Sequence, residues 1–374
     1  MMRPELQKKH DYICSKLGLE EIEIIDSPVI RGYRNSQAYT FGLDESGKQE
    51  IGLYRERKST IVNPCELDLC GSDLAKKVAR TILRWIESKG VLLRVINKES
   101  LTGFWRHVHI KENSTGEYLI VLQVLANNSH LNLIWNELQS SLADYLIAQT
   151  DPYRLVGVYQ QITKDLKEAV PTDPFYTIYR TVDLIMYMDS YKFKRSPASF
   201  FQPNAYTASI IYKRVKEMAL TAASEDTYLL DVCCGTGTIG IYMANKFKHI
   251  FGVDRTVSAI RDARENATLN DVNNATYLAG NAEDVVPKII EKNGLEDKKI
   301  VAVVNPPRRG LYPAVLEALN DCKYIQTLIY ISCNVDSLKR DMDLLRYKTM
   351  VKSFAIDQFP NTDHCETIIK LSEH

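Results

Sequence analysis

The chain has 374 residues, 45% of them hydrophobic and 25% charged, with 47 Lys and Arg against 47 Asp and Glu. That length predicts two domains, and the composition excludes a disordered or fibrous chain. The even charge excludes a uniformly basic surface, so any nucleic-acid contact must come from local patches.

The opening stretch, MMRPELQKKHDYICSKLGLEE, mixes both signs of charge and lacks the apolar centre of a secretory signal. No later apolar run is long enough for a membrane span. The expectation is an intracellular protein with no membrane partner, cytoplasmic or nuclear, with a mitochondrial location left open. Eight Cys stand at positions 14, 65, 70, 233, 234, 322, 333 and 365, and none forms a paired C-x-x-C array. No metal, iron–sulfur cluster or disulfide is therefore expected.

In the first half, residues 33–43 and 49–54 read as a hairpin across Asp44-Glu45-Ser46-Gly47. A helix capped by Ser72 follows, with Leu74, Val78, Ile82 and Ile86 on one face. Residues 103–111 and 117–124 form a second hairpin, and a second helix covers 131–147. Further strands fall at 154–160, 182–188 and 191–194, an α+β pattern. After Ser196 the pattern changes. A helix at 206–220 leads into five apolar strands separated by helices: YLLDV, HIFGVD, ATYLAG, IVAVVN and QTLIYIS. Such runs mark a parallel sheet covered on both faces. The last two strands, 352–359 and 366–371, are joined too closely for a crossover helix and must run antiparallel.

The stretch LLDVCCGTGTIG places Gly235, Gly237 and Gly240 at a strand-to-helix turn, and Asp254 ends the next strand. Alone this is the dinucleotide fingerprint, with Asp254 suited to a ribose hydroxyl pair. Two details turn it from NAD toward S-adenosylmethionine. Asp231 would repel a pyrophosphate but suits the ammonium of a methionine moiety. The fourth strand then ends in Asn305-Pro306-Pro307-Arg308, a pattern of enzymes that methylate planar nitrogen or carbon centres.

Asp231, Asp254, Asn305 and Cys333 all fall at the C-terminal ends of parallel strands, where open α/β sheets bind ligands. Glu366 opens an antiparallel strand and reaches the same edge. Taken singly, Cys333 reads as core packing and Glu366 as an ordinary strand-start carboxylate. Cys233 and Cys234 are best read as small fillers and Cys365 as core; His364 is a rival base that more simply orients its loop or touches RNA.

SFFQPN, LLDVCCGTGTIG, VVNPPRRGL, YISCN and DQFPNTDHCE together resemble the RNA uracil-5-methyltransferase family, most nearly its eukaryotic tRNA (uracil-5-)-methyltransferase homologues. The likeness covers the C-terminal half closely and thins in the first half to YRN and GFWRHVHIK. It implies a smaller α+β RNA-binding domain at 1–195 and, at 196–374, a doubly wound Rossmann-like methyltransferase domain. It also implies methylation of carbon 5 of a uridine in RNA, expected to be tRNA, by a monomer. Cys333 becomes the nucleophile that adds to carbon 6 and Glu366 the base that takes the carbon 5 proton. Gln202, Cys233, Thr238 and Asn305 join Asp231, Gly235, Gly237 and Asp254 as cofactor contacts. Many members carry Asp at the position of Asn305, and Asn keeps the oxygen but not the charge. Val335 replaces the commoner Pro after SCN.

RNA contacts are expected at basic clusters with aromatic neighbours: Arg31 and Arg34, Arg55, Arg57 and Lys58, Arg106 with His107 and His109, and Lys192, Lys194 and Arg195. Arg308 is a further candidate, as a cation beside the thiol and as an RNA contact; Phe104 and Trp105 are candidates for base stacking or core. Two other readings stay open. An amino-group methyltransferase would use N-P-P without needing Cys333, and a non-catalytic tRNA-binding homologue would carry a degraded site.

Overall fold

A computed structural model describes residues 2–54, 61–90, 93–97, 102–125, 129–163, 174–347 and 349–373; the cluster Arg55, Arg57 and Lys58 lies outside the described residues. Helix α1 (Pro4–Leu17) starts on Pro and ends at Gly18 in the left-handed conformation, the usual asymmetry of helix ends. Strand β1 (Glu23–Ile25) follows, then β2 (Ser36–Leu43), β3 (Gln49–Tyr54), β4 (Ile61–Pro64) and α2 (Asp73–Ser88). The pattern continues with β5 (Trp105–Glu112), β6 (Glu117–Leu125), α3 (Ser129–Gln149), β7 (Arg154–Thr163) and β8 (Phe175–Arg180). A two-stranded ribbon, β9 (Leu184–Met188) and β10 (Tyr191–Arg195), precedes α4 (Ala205–Leu220).

Strict alternation then begins: β11 (Tyr228–Val232), α5 (Thr238–Met243), β12 (His249–Asp254), α6 (Val257–Leu269), β13 (Ala275–Ala279) and α7 (Ala282–Lys292). β14 (Ile300–Val304), α8 (Pro313–Asp321), β15 (Ile325–Ser332) and α9 (Val335–Leu344) continue it, and β16 (Thr349–Ile356) with β17 (Glu366–Ser372) closes the chain.

The chain divides into two compact units. One holds residues 31–187 and 194–198 and is built on a seven-stranded sheet, ordered β4-β3-β2-β5-β6-β7-β8. Its strands pair antiparallel except β6 with β7, which run parallel across the α3 connection. Ser72 caps α2 as expected, its Oγ accepting the Ala75 N–H at 3.0 Å. The apolar stripe of α2 and the rings of Phe104, Trp85, Trp105 and Trp135 form the core, with Trp105 edge-on to Trp135 at 4.9 Å. Phe104 and Trp105 are both fully buried, which makes them core residues and not stacking platforms.

The other unit holds residues 1–30, 188–193 and 199–374 around an eight-stranded sheet ordered β1-β16-β17-β15-β14-β11-β12-β13. β11 through β15 are parallel, and β17 runs antiparallel between β15 and β16. The expected linear division at residue 195 therefore needs a correction at the N-terminus. β1 pairs parallel with β16, Ile24 against Ala355, and Ile13, Cys14, Leu17 and Ile22 enter the same core as β14 and β15. The physical reason is that the β16 edge would otherwise show unpaired N–H and C=O groups, and α1 has an apolar stripe to bury. A three-residue strand carries too little periodicity to be read in advance.

Candidate active site

The C-terminal edge of the parallel strands carries the residues singled out by the motifs. β11 ends in Val232, and the chain turns through Cys233, Gly235 and Gly237 with φ of 61°, 54° and 76°. At Gly237 the glycine is required, because a Cβ there would come within 2.8 Å of the Tyr277 ring as well as being strained. At Gly235 a Cβ would meet nothing within 4 Å, so the loop borders open space there. Asp254, at the end of β12, accepts the Gly235 N–H at 3.0 Å through Oδ2 and the Thr256 N–H at 2.8 Å through Oδ1. An ionised carboxylate has lone pairs left for further donors such as a hydroxyl pair.

Asp231 departs from expectation. It is fully buried beneath the loop, with Oδ2 accepting the Gly240 N–H at 3.1 Å. Burial pushes its carboxyl up to about 7, a rise that the Gly240 N–H opposes. Its Oδ1 is buried with no hydrogen-bond partner in the described residues. Thr238 opens α5 with its hydroxyl on Tyr212, 2.8 Å away, and Cys233 is raised to about 12 by burial and the neighbouring Asp254 and Asp231. Asn305 ties the end of β14 to β11 by donating its N–H to the Val232 carbonyl at 3.3 Å. Gln202 is buried, and its Oε1 accepts from Gln358 Nε2 at 3.0 Å. A lone buried carboxylate oxygen, open space at Gly235 and a strand-end carboxylate fit a nucleoside-bearing cofactor.

The thiol and the carboxylate meet through strand register. In the antiparallel pairing of β15 and β17, Ser332 lies opposite Thr367 and Ile331 opposite Ile368. The pairing stops there; Cys333 follows β15 directly and Glu366 opens β17, so the two lie at the same end of the ladder, near enough for the carboxylate to act on the thiol. Burial pushes the Cys333 thiol up to about 11; Glu366 adds to the rise, and Arg308, which hydrogen-bonds the thiol, opposes it. Burial likewise holds Glu366 up to about 8, again opposed by Arg308. Thiol, carboxyl and guanidinium thus form one electrostatic group.

Arg308 is held there by its own backbone. Its carbonyl accepts from Asn334 Nδ2 and Ser337 Oγ, each at 3.0 Å. Asn334 also caps α9, taking the Asp336 N–H at 3.1 Å. The turn that follows is clamped by buried Asp341, whose Oδ2 accepts the Leu311 N–H at 2.7 Å and the Tyr330 hydroxyl at 2.5 Å. Gly310, at φ 78°, has no room for a Cβ, which would lie 2.5 Å from both Arg340 and Asp341. The S-C-N motif therefore does two things: it delivers Cys333 and it pins the N-P-P-R loop beside it.

Two of the basic residues expected to meet RNA are internal. Arg195 is 2% exposed, donates from Nη1 to the Asn35 carbonyl at 2.9 Å and Oδ1 at 3.1 Å, and neighbours Glu112. Arg106 is 6% exposed. Burial removes both from a phosphate's reach, correcting the expectation for them. Arg34 is half-buried, its backbone N–H bound to the Cys70 carbonyl, while Arg308 is exposed. The sequence reading missed Asp341, and also Gln358 and Lys9, whose partners Gln202 and Asp357 lie far away in the chain. Lys9 Nζ meets Asp357 Oδ1 at 2.7 Å and the Phe359 carbonyl at 3.0 Å, in the loop that leads to Glu366.

Comparison with known proteins gives the chain's family and fold. A sequence model described as tRNA (Uracil-5-)-methyltransferase matches residues 125–374. An uncharacterized RNA methyltransferase of Caldanaerobacter subterraneus is 32% identical over 374 residues, spanning 97% of this chain and 79% of that protein. The tRNA (uracil-5-)-methyltransferase homolog A of Homo sapiens is 28% identical over 384 residues, spanning 98% of this chain and 59% of that one. The crystal structure of Pyrococcus abyssi tRNA (uracil-54, C5)-methyltransferase with S-adenosyl-L-homocysteine superposes with a TM-score of 0.72 at 24% identity. The match covers 98% of this chain and 82% of that one, which establishes a common fold. With the family match spanning the whole edge that holds Cys333 and Glu366, the chain belongs to the tRNA (uracil-5-)-methyltransferase family of S-adenosylmethionine-dependent RNA methyltransferases.

Proposed function

We propose that the protein methylates carbon 5 of a uridine in tRNA through a covalent adduct with Cys333. The observation that carries this reading is the convergence of Cys333 and Glu366 at one end of the β15–β17 ladder, with Arg308 acting on both. Carbon 5 of uracil is a weak nucleophile. Cys333 thiolate adds to carbon 6, forming the S–C6 bond and shifting the ring electrons toward carbon 5. S-Adenosylmethionine, when bound, would supply the sulfonium methyl that carbon 5 takes up, its C–S bond breaking to leave S-adenosylhomocysteine. Glu366 then takes the carbon 5 proton, the C5–C6 double bond re-forms, and the thiolate leaves carbon 6. Arg308 stabilises the thiolate and holds Glu366 closer to its ionised form. Gly235, Gly237, Cys233, Thr238 and Asp254 form the cofactor cradle, with Asp231 bracing it from beneath and Gln202 and Asn305 flanking it. The target base must leave its stack to reach this edge.

The test is to incubate the protein with an unmodified tRNA transcript and S-adenosylmethionine, then digest the RNA to nucleosides and weigh them. The expected result is 5-methyluridine, lost in Cys333→Ala. A variant that stays active and methylates an amino group would assign the N-P-P edge to nitrogen chemistry. RNA binding with no methyl transfer at any pH would assign the chain a binding role.

A further inference from the structure

A second group of side chains stands on the same sheet edge and takes no part in the mechanism above. Tyr312, the residue that leads into α8, is 44% exposed. The Arg309 guanidinium carbon lies 4.2 Å from its ring centroid, and that of Arg255, just past β12, lies 6.0 Å away. Arg255 Nη1 also reaches the Tyr312 hydroxyl at 3.5 Å. Both arginines are exposed, and neither has a carboxylate within ion-pair distance among the described residues. In this unit Arg3 pairs with Asp26 and Asp357, Arg214 with Glu23, Arg340 with Asp341 and Arg346 with Glu373, whereas Arg255 and Arg309, like Arg308 in the same loop, stand without a carboxylate among the described residues. What sets Arg255 and Arg309 apart is that both gather around one exposed ring, making a local positive surface with an aromatic centre.

The group is also preorganised. Arg309 belongs to the turn clamped by Asp341 and Gly310, and Arg340 Nη2 donates to the Arg309 carbonyl at 2.8 Å. The ring of Tyr312 needs no ordering by a ligand, since Arg309 already stacks on it. A partly exposed aromatic ring with two guanidiniums over it, neither of them ion-paired, is the composition of a single-stranded nucleic-acid subsite, where a base stacks and phosphates are paired. The adenosine end of the cofactor is uncharged, so it would leave both cations without an anion.

We infer that Arg255, Tyr312 and Arg309 form an RNA subsite beside the catalytic edge: Tyr312 stacks a nucleotide next to the target uridine, and the two arginines hold its flanking phosphates. The inference rests on the RNA-methylating function proposed above and adds the surface that grips the strand around the extruded base.

The test uses the full chain and an unmodified tRNA transcript, with binding followed across a range of KCl concentrations. Arg309→Ala and Arg255→Ala are each expected to weaken RNA binding several-fold and to lower the salt slope by about one. Tyr312→Leu is expected to weaken it about tenfold with the slope unchanged, and Tyr312→Phe to restore most of that loss. Affinity for S-adenosylhomocysteine, measured by calorimetry, stays at the wild-type value in all four. Thermal melts matching wild type show that the variants are folded. RNA affinity and slope that stay at wild-type values overturn the inference. Weakened S-adenosylhomocysteine binding with intact RNA binding also overturns it and assigns the group to the cofactor. A wild-type protein that binds no RNA fails at an earlier point, removing the RNA substrate itself and this subsite with it.

Discussion

A carboxyl held at about 8 is mostly neutral at pH 7, so in the proposed mechanism Glu366 must shed its own proton before it can accept one from carbon 5. Cys333, held at about 11, must likewise ionise. Both demands act in the same direction, and kcat/KM for methyl transfer is expected to climb from pH 6.5 to 9. The climb is steeper than tenfold per pH unit below about 8, where both groups limit, and close to tenfold above it. A bell centred near pH 7 would contradict the assignment. Arg308→Ala removes the cation that lowers both groups, so activity at pH 7.5 is expected to fall by about 10- to 100-fold. Part of that loss returns at pH 9, and Arg308→Lys retains more. A pH-independent loss would instead place Arg308 on the RNA. The carboxyl also bears on stability. Its folded pKa is raised, so the folded state keeps a proton that the unfolded chain gives up above about 4.5. Its contribution is fully present below about 4.5 and is lost as pH rises toward and through 8. Glu366→Gln is therefore expected to melt higher than wild type at pH 8.5 and equal to it at pH 4.5, read by calorimetry.

The loop between β16 and β17 is where several elements meet behind the site. Asp357 is 2% exposed and pairs with Lys9 and with Arg3 Nη2, the latter at 2.6 Å. Gln358, fully buried, donates to Gln202, hydrogen-bonds the Thr207 hydroxyl and gives its carbonyl to Asn204 Nδ2 at 3.3 Å. Asn204 in turn caps α4 through the Tyr206 N–H at 3.1 Å. The α1 helix and the Q-P-N segment thus grip the same few residues that lead into Glu366. Removing one partner of a buried ion pair strands the other, at a cost of roughly 3–5 kcal/mol. Arg3 still pairs with Asp357 when Lys9 is lost, so Lys9→Met is expected to lower stability by less, about 1–3 kcal/mol in urea melts, and Lys9→Met with Asp357→Leu to recover part of it. Independent, additive losses in the double variant would show that the pair is not coupled. The D-Q-F-P-N-T-D-H-C-E block was legible as a motif leading to Glu366. Its ties to Lys9 were not, because 348 residues separate the partners and neither carries a local signal.

At the scale of the molecule, the methyltransferase unit is closed by the first 30 residues of the chain. A fragment of residues 199–374 lacks β1 and α1, so it would expose the β16 edge and the apolar surface that covers Ile13, Cys14, Leu17 and Ile22. Such a fragment is expected to lack a cooperative thermal transition, while the whole chain melts cooperatively; a cooperative, soluble fragment would show that the N-terminal elements are dispensable. By itself the sequence determined the doubly wound sheet, the glycine turn at Gly235 and Gly237, the antiparallel last strand and so the placing of Cys333 and Glu366 at one edge of the sheet. Those features are written in local apolar period, turn chemistry and short spacing. Only the tertiary structure decided that Arg106 and Arg195 are internal, that Asp231 lies under its loop, that residues 1–30 belong with the C-terminal sheet, and that Arg255, Arg309 and Tyr312 come together unmatched. Burial and charge pairing depend on neighbours brought from distant positions, and no local pattern records them.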